Sequence, residues 1–269
     1  MLELRNVSYR YAGATRASLR EVSLQLHDGE VMGLVGASEA GKTTTCLVAS
    51  GLAPRAVGGR MLGALLVDGV DVTNEPMHVL AGSIGIAFQS PATQLSGVAA
   101  TVYEEVAFGA MNLGMPRTEV IARTESALDA LRIASLAERE PSRLSGGQMQ
   151  LVALAGLLAM GPRHLLLDEP TAQLDPVGTR LVADAIQRLA AAGTSILVAE
   201  QKTDLLRDLA SRVVAIHAGR VALEGPAVEV LADPRLVELG VAAPAAARLE
   251  RLARERGLDP APLLEAARS

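Results

Sequence analysis

The segment LVGASEAGKTTT, residues 34–45, places a glycine-bounded loop between an apolar run and a helix-forming stretch. Its residues Gly36, Gly41, Lys42 and Thr43 match the phosphate-binding pattern G-x-x-x-x-G-K-[ST]. The preceding run, VMGLV, is typical of a strand buried on both faces, and this strand–loop–helix context is the one that the pattern requires. A chain with this feature is therefore expected to fold around a mostly parallel sheet.

The loop residues predict how a nucleotide is held. Successive backbone N–H groups and the partly positive helix N-terminus suit the phosphates, Lys42 reaches the β- and γ-phosphates, and the Thr43 hydroxyl suits Mg²⁺. Glu39 departs from the glycine that is common at its position, so a positive φ there would strain the backbone by roughly 1 kcal/mol. The predicted nucleotide-binding residues of the loop are Gly36, Ala37, Ser38, Glu39, Ala40, Gly41, Lys42, Thr43 and Thr44.

Strand and helix signals alternate along the rest of the chain. Alternating apolar residues predict strands at the N-terminus, ALLVDGVDV predicts a hairpin, and IGIAF, LLLDE and SILVA are typical of buried strands. Residues 101–160 lack strand signals and indicate helices. The prediction is an α/β P-loop NTPase fold with a RecA-like, mostly parallel sheet core, an antiparallel β subdomain and an inserted α-helical subdomain. We place the nucleotide-binding domain at 1–225, the helical insertion at about 90–160 and a C-terminal helical extension at 226–269.

The composition limits the cellular compartment and the kinds of binding partner that we expect for this chain. The apolar run from Leu151 to Met160 is too short for a membrane span, which needs about 20 residues. The N-terminus carries no apolar signal segment, and the single cysteine, Cys46, cannot form an internal disulfide. A net charge of −5 without a basic block argues against a dedicated nucleic-acid binder. We therefore expect a cytosolic protein with no nucleic-acid partner.

A second glycine-rich motif follows the predicted helical insertion, in RLSGGQMQLVALAGLLAM at 143–160. A serine and two glycines at a helix N-terminus form another anion site, suited to a γ-phosphate. Because one chain does not need two such sites for one triphosphate, we expect a head-to-tail dimer in which the P-loop of one subunit faces this motif of the other. The motif resembles the signature of the ABC ATPases, and its residues are Leu144, Ser145, Gly146, Gly147 and Gln148.

The resemblance to ABC ATPases implies a hydrolytic centre that uses ATP and Mg²⁺. The run LLLDE is similar to the Walker B strand, in which Asp168 would hold Mg²⁺ and Glu169 would polarise the attacking water. Because neighbouring side chains alternate along a strand, the two carboxylates are expected to face different partners. Gln89 looks like the Q-loop glutamine, a ligand of Mg²⁺ and water. The implied metal ligands are Thr43, Gln89 and Asp168.

Two further segments resemble ABC ATPase elements. TAQLD at 171–175, which ends at Asp175, looks like the D-loop that crosses the dimer interface. Tyr11 stands where ABC ATPases place the aromatic ring that stacks on adenine. A second ring, Tyr9, lies two residues before it, and for Tyr9 a purely structural role is open. The resemblance therefore implies that Tyr11 completes the nucleotide site.

Several stretches narrow the resemblance to the ATPase subunits of energy-coupling factor (ECF) transporters, which import vitamins or transition-metal ions. They are FQSPATQLSG, TVYEEVAFGAMNLGMP, EPSRLSGGQMQLVALAGLLAMGPRHLLLDEPTAQLDP and the tail VELGVAAPAAARLERLARERG. The resemblance implies a second ABC ATPase subunit, identical or a paralogue, together with a transmembrane T component and a substrate-binding S component. It also implies a peripheral position on the cytoplasmic face of the cell membrane, where ATP hydrolysis energises import.

The strand SILVA ends in Glu200, Gln201 and Lys202, and Lys202 is one of only two lysines among 25 basic residues. By resemblance, Gln201 occupies the position of the switch histidine, which contacts the γ-phosphate and the water held by Glu169. Glutamine can donate a hydrogen bond but cannot become cationic or relay a proton, so we expect slower hydrolysis with ATP binding retained. Two alternatives stay open: a hydrolysis-impaired ATP-binding subunit of a heterodimeric transporter, and a soluble, non-transport ABC ATPase.

Overall fold

Two β-sheets organise residues 1–259, the part of the chain that the computed structural model describes. The strands are β1 Leu2–Arg10, β2 Leu19–Leu26, β3 Val31–Val35, β4 Arg60–Val67, β5 Val70–Asp71, β6 Ile84–Ala87, β7 His164–Asp168, β8 Ser195–Ala199, β9 Arg212–His217 and β10 Arg220–Pro226. The helices are α1 Lys42–Ala49, α2 Leu52–Arg55, α3 Met77–Ala81, α4 Val102–Asn112, α5 Arg117–Ala130, α6 Gly146–Met160, α7 Pro176–Ala191, α8 Thr203–Leu209, α9 Ala227–Ala232, α10 Arg235–Glu238 and α11 Ala245–Glu255. The last residues of the predicted C-terminal extension, 260–269, lie outside the described residues.

The larger sheet has the strand order β10-β9-β3-β8-β7-β6, and the smaller has the order β2-β1-β4-β5. Every neighbouring pair from β9 to β6 in the larger sheet is parallel, while β10 joins β9 antiparallel. The smaller sheet is antiparallel throughout. This is the predicted mixed architecture, a mostly parallel core sheet beside an antiparallel subdomain.

The central strands separate two hydrophobic cores. Along β8, Ile196 and Val198 face one core, whereas Leu197 and Ala199 face the other. The first core is shared with helices α4 to α7, and the second with α1 and the antiparallel sheet. Because both faces of these strands are buried, their sequences are continuously apolar instead of alternating, which is the pattern that identified them.

Helices fill the chain between β6 and β7, as the absence of strand signals predicts. Helices α4, α5 and α6 pack against one another, and α6 also contacts β6 and α7. Beyond β10, α9 packs on β9, β10 and α8. Within residues 1–259, no helix is both long and apolar enough to cross a membrane.

Candidate nucleotide-binding and hydrolysis site

Four polar segments meet at one edge of the larger sheet. Strands β3, β8, β7 and β6 are adjacent and parallel in that order, so their carboxyl ends lie side by side. The P-loop follows β3, Glu200–Lys202 follow β8, Glu169 follows β7 and Gln89 follows β6. Ligands of open α/β sheets bind at this edge, and the topology brings together residues from four separate motifs.

The P-loop is packed too closely against the β9–β10 turn to accept side chains at its glycines. A Cβ on Gly36 would lie 2.5 Å from the Ile216 carbonyl oxygen, and Gly41 has a φ of 117°. The Gly219 N–H donates to the Ala40 carbonyl over 2.9 Å, which fastens the loop to that turn. Because this hydrogen bond fixes the side of the loop that faces the turn, the N–H groups of the loop can point away from the turn, toward an anion.

Glu39 has a φ of 63° and an exposed side chain. Glu39 therefore has the left-handed backbone that costs roughly 1 kcal/mol in a residue other than glycine.

Lys42 is buried at the start of α1, and its ammonium group lies within the P-loop. Nζ donates to the Gly36 carbonyl over 2.8 Å and to the Ala37 carbonyl over 3.1 Å. Helix α1 begins at left-handed Gly41 without a side-chain cap, so its first N–H groups are left for a ligand. The site thus offers a cation and helix N–H groups to the phosphates.

Asp168 supplies the chemistry of a divalent-cation ligand. Its side chain is only 3% exposed, and its Oδ1 finds no hydrogen-bond partner among the described residues. Burial raises the pKa of Asp168; the charges of Glu169 and Glu200 act in the same direction, while the Thr43 hydroxyl and Lys42 oppose it. A hard cation would satisfy this buried oxygen and stabilise its charged form, so Asp168 and Thr43 fit Mg²⁺.

Glu169 lies just beyond β7, and this corrects the expectation that it continues the strand. Its φ is 50°, and its N–H donates to the Ala199 carbonyl over 2.8 Å. The different directions of Asp168 and Glu169 therefore arise from a left-handed residue at the strand end, and not from strand alternation. Such strain in a carboxylate residue is typical of functional positions.

The Glu169 carboxylate is held by two glutamine amides from neighbouring strand ends. Gln89 Nε2 donates to Oε2 over 2.8 Å, and Gln201 Nε2 donates to Oε1 over 2.7 Å. Gln201 thus contacts Glu169, and its role at the switch position stays a prediction. Gln89 also contacts Glu169, and its role as a metal ligand stays a prediction.

Glu200 and Lys202 form contacts that the sequence motifs did not assign. The buried Glu200 carboxylate binds the N–H and hydroxyl of Thr171, and Lys202 Nζ donates to the Thr171 carbonyl over 2.8 Å. The sequence feature that could have indicated these contacts is the charged Glu200 directly after a buried strand. Charged side chains are rarely buried unless they are paired or hydrogen-bonded.

The two candidate aromatic rings differ in exposure. Tyr9 is fully buried, and its hydroxyl donates to the Gly58 carbonyl. Tyr11 is half-buried, lies edge-on to Tyr9 at a centroid distance of 4.9 Å, and places its hydroxyl 3.1 Å from Thr44 Oγ1 on α1. Tyr11 is therefore the ring available beside the P-loop helix, and Tyr9 supports it.

The predicted signature residues make their hydrogen bonds at the start of α6. Within residues 1–259, no hydrogen bond joins 144–148 to 36–44. Gly146 instead approaches Gln173, where an added Cβ would lie 2.6 Å from Oε1, and the exposed Ser145 caps α6. Asp175 is also exposed and accepts from the Gly178 N–H over 2.6 Å as the N-cap of α7. Ser145 and Asp175 are thus available at the surface.

Comparison with known proteins places this arrangement in a family. A family model for ABC transporters matches residues 19–172. The chain is 37% identical over 260 residues to a Pyrococcus horikoshii protein provisionally named an ABC transporter ATP-binding protein, a match that covers 96% of this chain and 91% of that one. It is 34% identical over 239 residues to the energy-coupling factor transporter ATP-binding protein EcfA of Methanothermobacter thermautotrophicus, covering 88% and 74%.

Solved structures agree. The structure of cbiO1 from Clostridium perfringens, part of the ABC transporter complex cbiONQ, has a TM-score of 0.76 at 30% identity and covers 96% of this chain and 98% of its own. A bacterial ABC transporter cassette solved as a dimer, MJ0796, has a TM-score of 0.75 at 25% identity and covers 84% and 99%. The chain belongs to the ABC transporter family as an ATP-binding subunit, an ABC-type ATPase.

Proposed function

We propose that this chain energises import through an ECF-type membrane transporter that takes up a vitamin or a transition-metal ion. ATP hydrolysis by this chain is supported above all by the Glu169 carboxylate, which Gln89 and Gln201 hold beside the P-loop. This carboxylate orients a water molecule toward the γ-phosphorus and accepts its proton. The bond between the γ-phosphorus and the bridging oxygen then breaks, releasing ADP and phosphate.

Other residues of the site bind and orient the nucleotide. Lys42 leaves the loop carbonyls for the β- and γ-phosphates, and Tyr11 stacks on the adenine. Thr43 and Asp168 would hold Mg²⁺, which would supply positive charge to stabilise the phosphate oxygens. Ser145 and Asp175, both exposed, act across a head-to-tail dimer with a second ABC ATPase subunit.

A cleft between α4 and α6 supports a membrane partner. It has a volume of about 170 Å³ and is lined by Leu95, Phe108, Gly109 and Met160, among others. Met111, on α4, is 61% exposed, and Val98, just before α4, is 73% exposed. Exposed apolar side chains of this kind are typical of interaction sites. We assign the cleft to a coupling helix of the T component, which would hold the chain at the cytoplasmic face of the membrane.

The ECF assignment rests on the similarity to EcfA and to cbiO1. The match to cbiO1 covers 96% of this chain, so it includes part of the region after β10 and not the cassette alone. An S component that captures the substrate completes the proposed complex.

A second candidate is favoured by Gln201. A neutral amide replaces the titratable imidazole that the family pattern expects at Glu169, so the chain could bind ATP while a paralogous partner performs most of the hydrolysis. Turnover by each site of the assembled complex distinguishes this candidate from the first.

The proposal is tested on the native complex, purified through a tag on this chain, with its subunits identified by mass. Glu169→Gln is expected to abolish single-turnover hydrolysis at this chain's site and to reduce uptake, while Glu21→Gln, at an exposed surface ion pair with Arg220, leaves both unchanged. Unchanged hydrolysis and uptake in Glu169→Gln would refute a role as the engine. A complex without a small substrate-binding membrane subunit would refute the ECF type alone.

A further inference from the structure

Glu200 is a buried carboxylate without an ion-pair partner in residues 1–259. Glu200 lies directly after β8, and the residue is only 2% exposed. Lys202, two residues further along the chain, forms no ion pair with it, and its ammonium group donates to the Thr171 carbonyl over 2.8 Å. A buried charge of this kind is costly unless several donors bind it, so the position of Glu200 requires a reason.

Backbone and hydroxyl donors surround the Glu200 carboxylate. On one side, Oε1 accepts from the Thr171 N–H over 3.3 Å and from the Thr171 hydroxyl. On the other side, Oε2 accepts from the N–H groups of Gln201 over 3.0 Å and Lys202 over 3.4 Å. Hydrogen bonds to a charged acceptor are about twice as strong as neutral ones, so Glu200 joins two loops firmly.

These contacts close a ring around the hydrolytic residue. Thr171 follows Glu169 by two residues, Glu200 binds Thr171 and the Gln201 backbone, and the Gln201 side chain returns to Glu169. Thr171 also begins the 171–175 segment, whose Leu174 N–H donates to the Thr171 carbonyl over 3.3 Å. A shift of Glu200 is therefore expected to move the Gln201 amide relative to Glu169.

We propose that Glu200 is a positioning residue for ATP hydrolysis, which acts by holding Gln201 against Glu169, while Thr171 anchors the other oxygen of its carboxylate. The hydrogen bonds of its carboxylate described above all go to protein groups, so it acts through another residue. A small displacement of a catalytic group lowers turnover far more than it lowers binding, because orientation contributes mainly to the chemical step. This inference rests on the proposed hydrolysis at Glu169.

The test uses turnover and KM of the tagged native complex for Glu200→Gln, Gln201→Ala and the double variant. Glu200→Gln keeps the side-chain volume but loses one acceptor position. We expect its kcat to fall about 10-fold, with the KM for ATP within about twofold of the unsubstituted chain. In the Gln201→Ala background, Glu200→Gln should have little further effect, because residues that act through one contact are not additive.

A second pair of variants keeps the test independent of how Glu200→Gln folds. Thr171→Val keeps the shape of Thr171 but removes the hydroxyl, and it should lower kcat like Glu200→Gln; Thr171→Ser keeps the hydroxyl and should retain turnover. The control is Glu30→Gln at the opposite end of the sheet, where Glu30 binds Arg212 and the His27 N–H. It is expected to lower stability without changing kcat.

Each outcome bears on the proposal. If Glu200→Gln and Thr171→Val lower only the stability, as Glu30→Gln does, or if the effects of Glu200→Gln and Gln201→Ala multiply independently, Glu200 is merely structural and the inference is overturned. Glu169→Gln on the same preparation separates the two ideas. If it abolishes hydrolysis while the Glu200 variant turns over normally, only the positioning role fails; if hydrolysis survives it, the proposed function fails.

Discussion

Each oxygen of the Glu169 carboxylate accepts a hydrogen bond from a different amide, one from Gln89 and one from Gln201. Both donors are neutral, so they orient the carboxylate without neutralising its charge. An imidazole at position 201 could also carry a proton, and this difference determines how fast the site is expected to hydrolyse ATP.

Gln201→His is expected to increase kcat by about 10-fold and leave the KM for ATP nearly unchanged, since a positioned acid–base group acts mainly on the chemical step. Turnover of the tagged complex should also become pH-dependent near the imidazole's ordinary pKa of about 6.5. The matched variant Gln201→Asn keeps an amide on a shorter side chain and should turn over more slowly than the unsubstituted chain. A histidine variant that hydrolyses no faster would contradict the prediction.

Glu39 combines a left-handed backbone with a negative charge beside the phosphate cradle. Glu39→Gln removes the charge but keeps the strain, so we expect ATP to bind about two- to fivefold more tightly at low salt, with the gain shrinking as salt screens it. Glu39→Gly should show the same gain in affinity, because it also removes the charge. Equilibrium binding of ATP to the full chain measures this effect. Equal affinity of the Gln variant and the unsubstituted chain at low salt would show that the carboxylate points away from the ligand.

At the scale of secondary structure, the N-terminal caps of helices α4 and α6 can be compared. Helices α4 and α6 each begin with a complete capping box: Thr101 with Glu104 at α4, and Ser145 with Gln148 at α6. In each box the hydroxyl accepts a backbone N–H and the fourth residue's side chain returns to the cap. The two boxes have similar local chemistry, but only Ser145 belongs to the signature.

Ser145→Ala should therefore have two effects, and Thr101→Ala only one. Both variants lose a cap and should lower the free energy of unfolding by about 1 kcal/mol. Only Ser145→Ala should lower ATP turnover in the dimer, while ATP binding to the isolated subunit is retained. Chemical denaturation and single-turnover hydrolysis measure the two effects separately. Loss of ATP binding in isolated Ser145→Ala would contradict the head-to-tail arrangement.

Element types could be predicted from the sequence because burial on both faces leaves a readable pattern. SILVA coincides with β8, and IGIA within the predicted IGIAF forms β6. The end of β7 could not be predicted to the residue, because the left-handed conformation of Glu169 depends on its bond to Ala199 on the neighbouring strand. The bond between Gln89 and Glu169 spans 80 positions, and no local pattern records such a pairing.

At the scale of the whole molecule, the site exists because strand order differs from chain order. Strand β8, which precedes Glu200, lies between the P-loop strand β3 and the Asp168 strand β7, although it follows both in the chain. The motifs identified which segments carry chemistry. The alternation of strand and helix signals predicted a mostly parallel sheet but gave no strand order, and the meeting of these segments at one edge follows from the order that the structure shows.

The stability of the whole chain should depend on pH through His164, which is fully buried at the start of β7. Neither ring nitrogen has a hydrogen-bond partner in the described residues, and burial lowers the pKa of His164 from 6.5 to about 4. Between these values the unfolded chain binds a proton that the folded chain does not. The contribution of neutral His164 to the free energy of unfolding is therefore fully present above pH 6.5. It is lost progressively as the pH falls toward 4, by roughly 2–3 kcal/mol.

His164→Leu should remove this contribution, because it fills the site with an apolar side chain of similar size that cannot be protonated. The measurement is the free energy of unfolding in denaturant at several pH values from 7 to 4, taken as the difference from the unsubstituted chain, so that the carboxylates common to both cancel. The control His217→Gln changes an exposed imidazole beside the β9–β10 turn and should keep the full pH dependence. If His164→Leu loses as much stability on acidification as the unsubstituted chain, a buried neutral imidazole does not set the acid sensitivity of this fold.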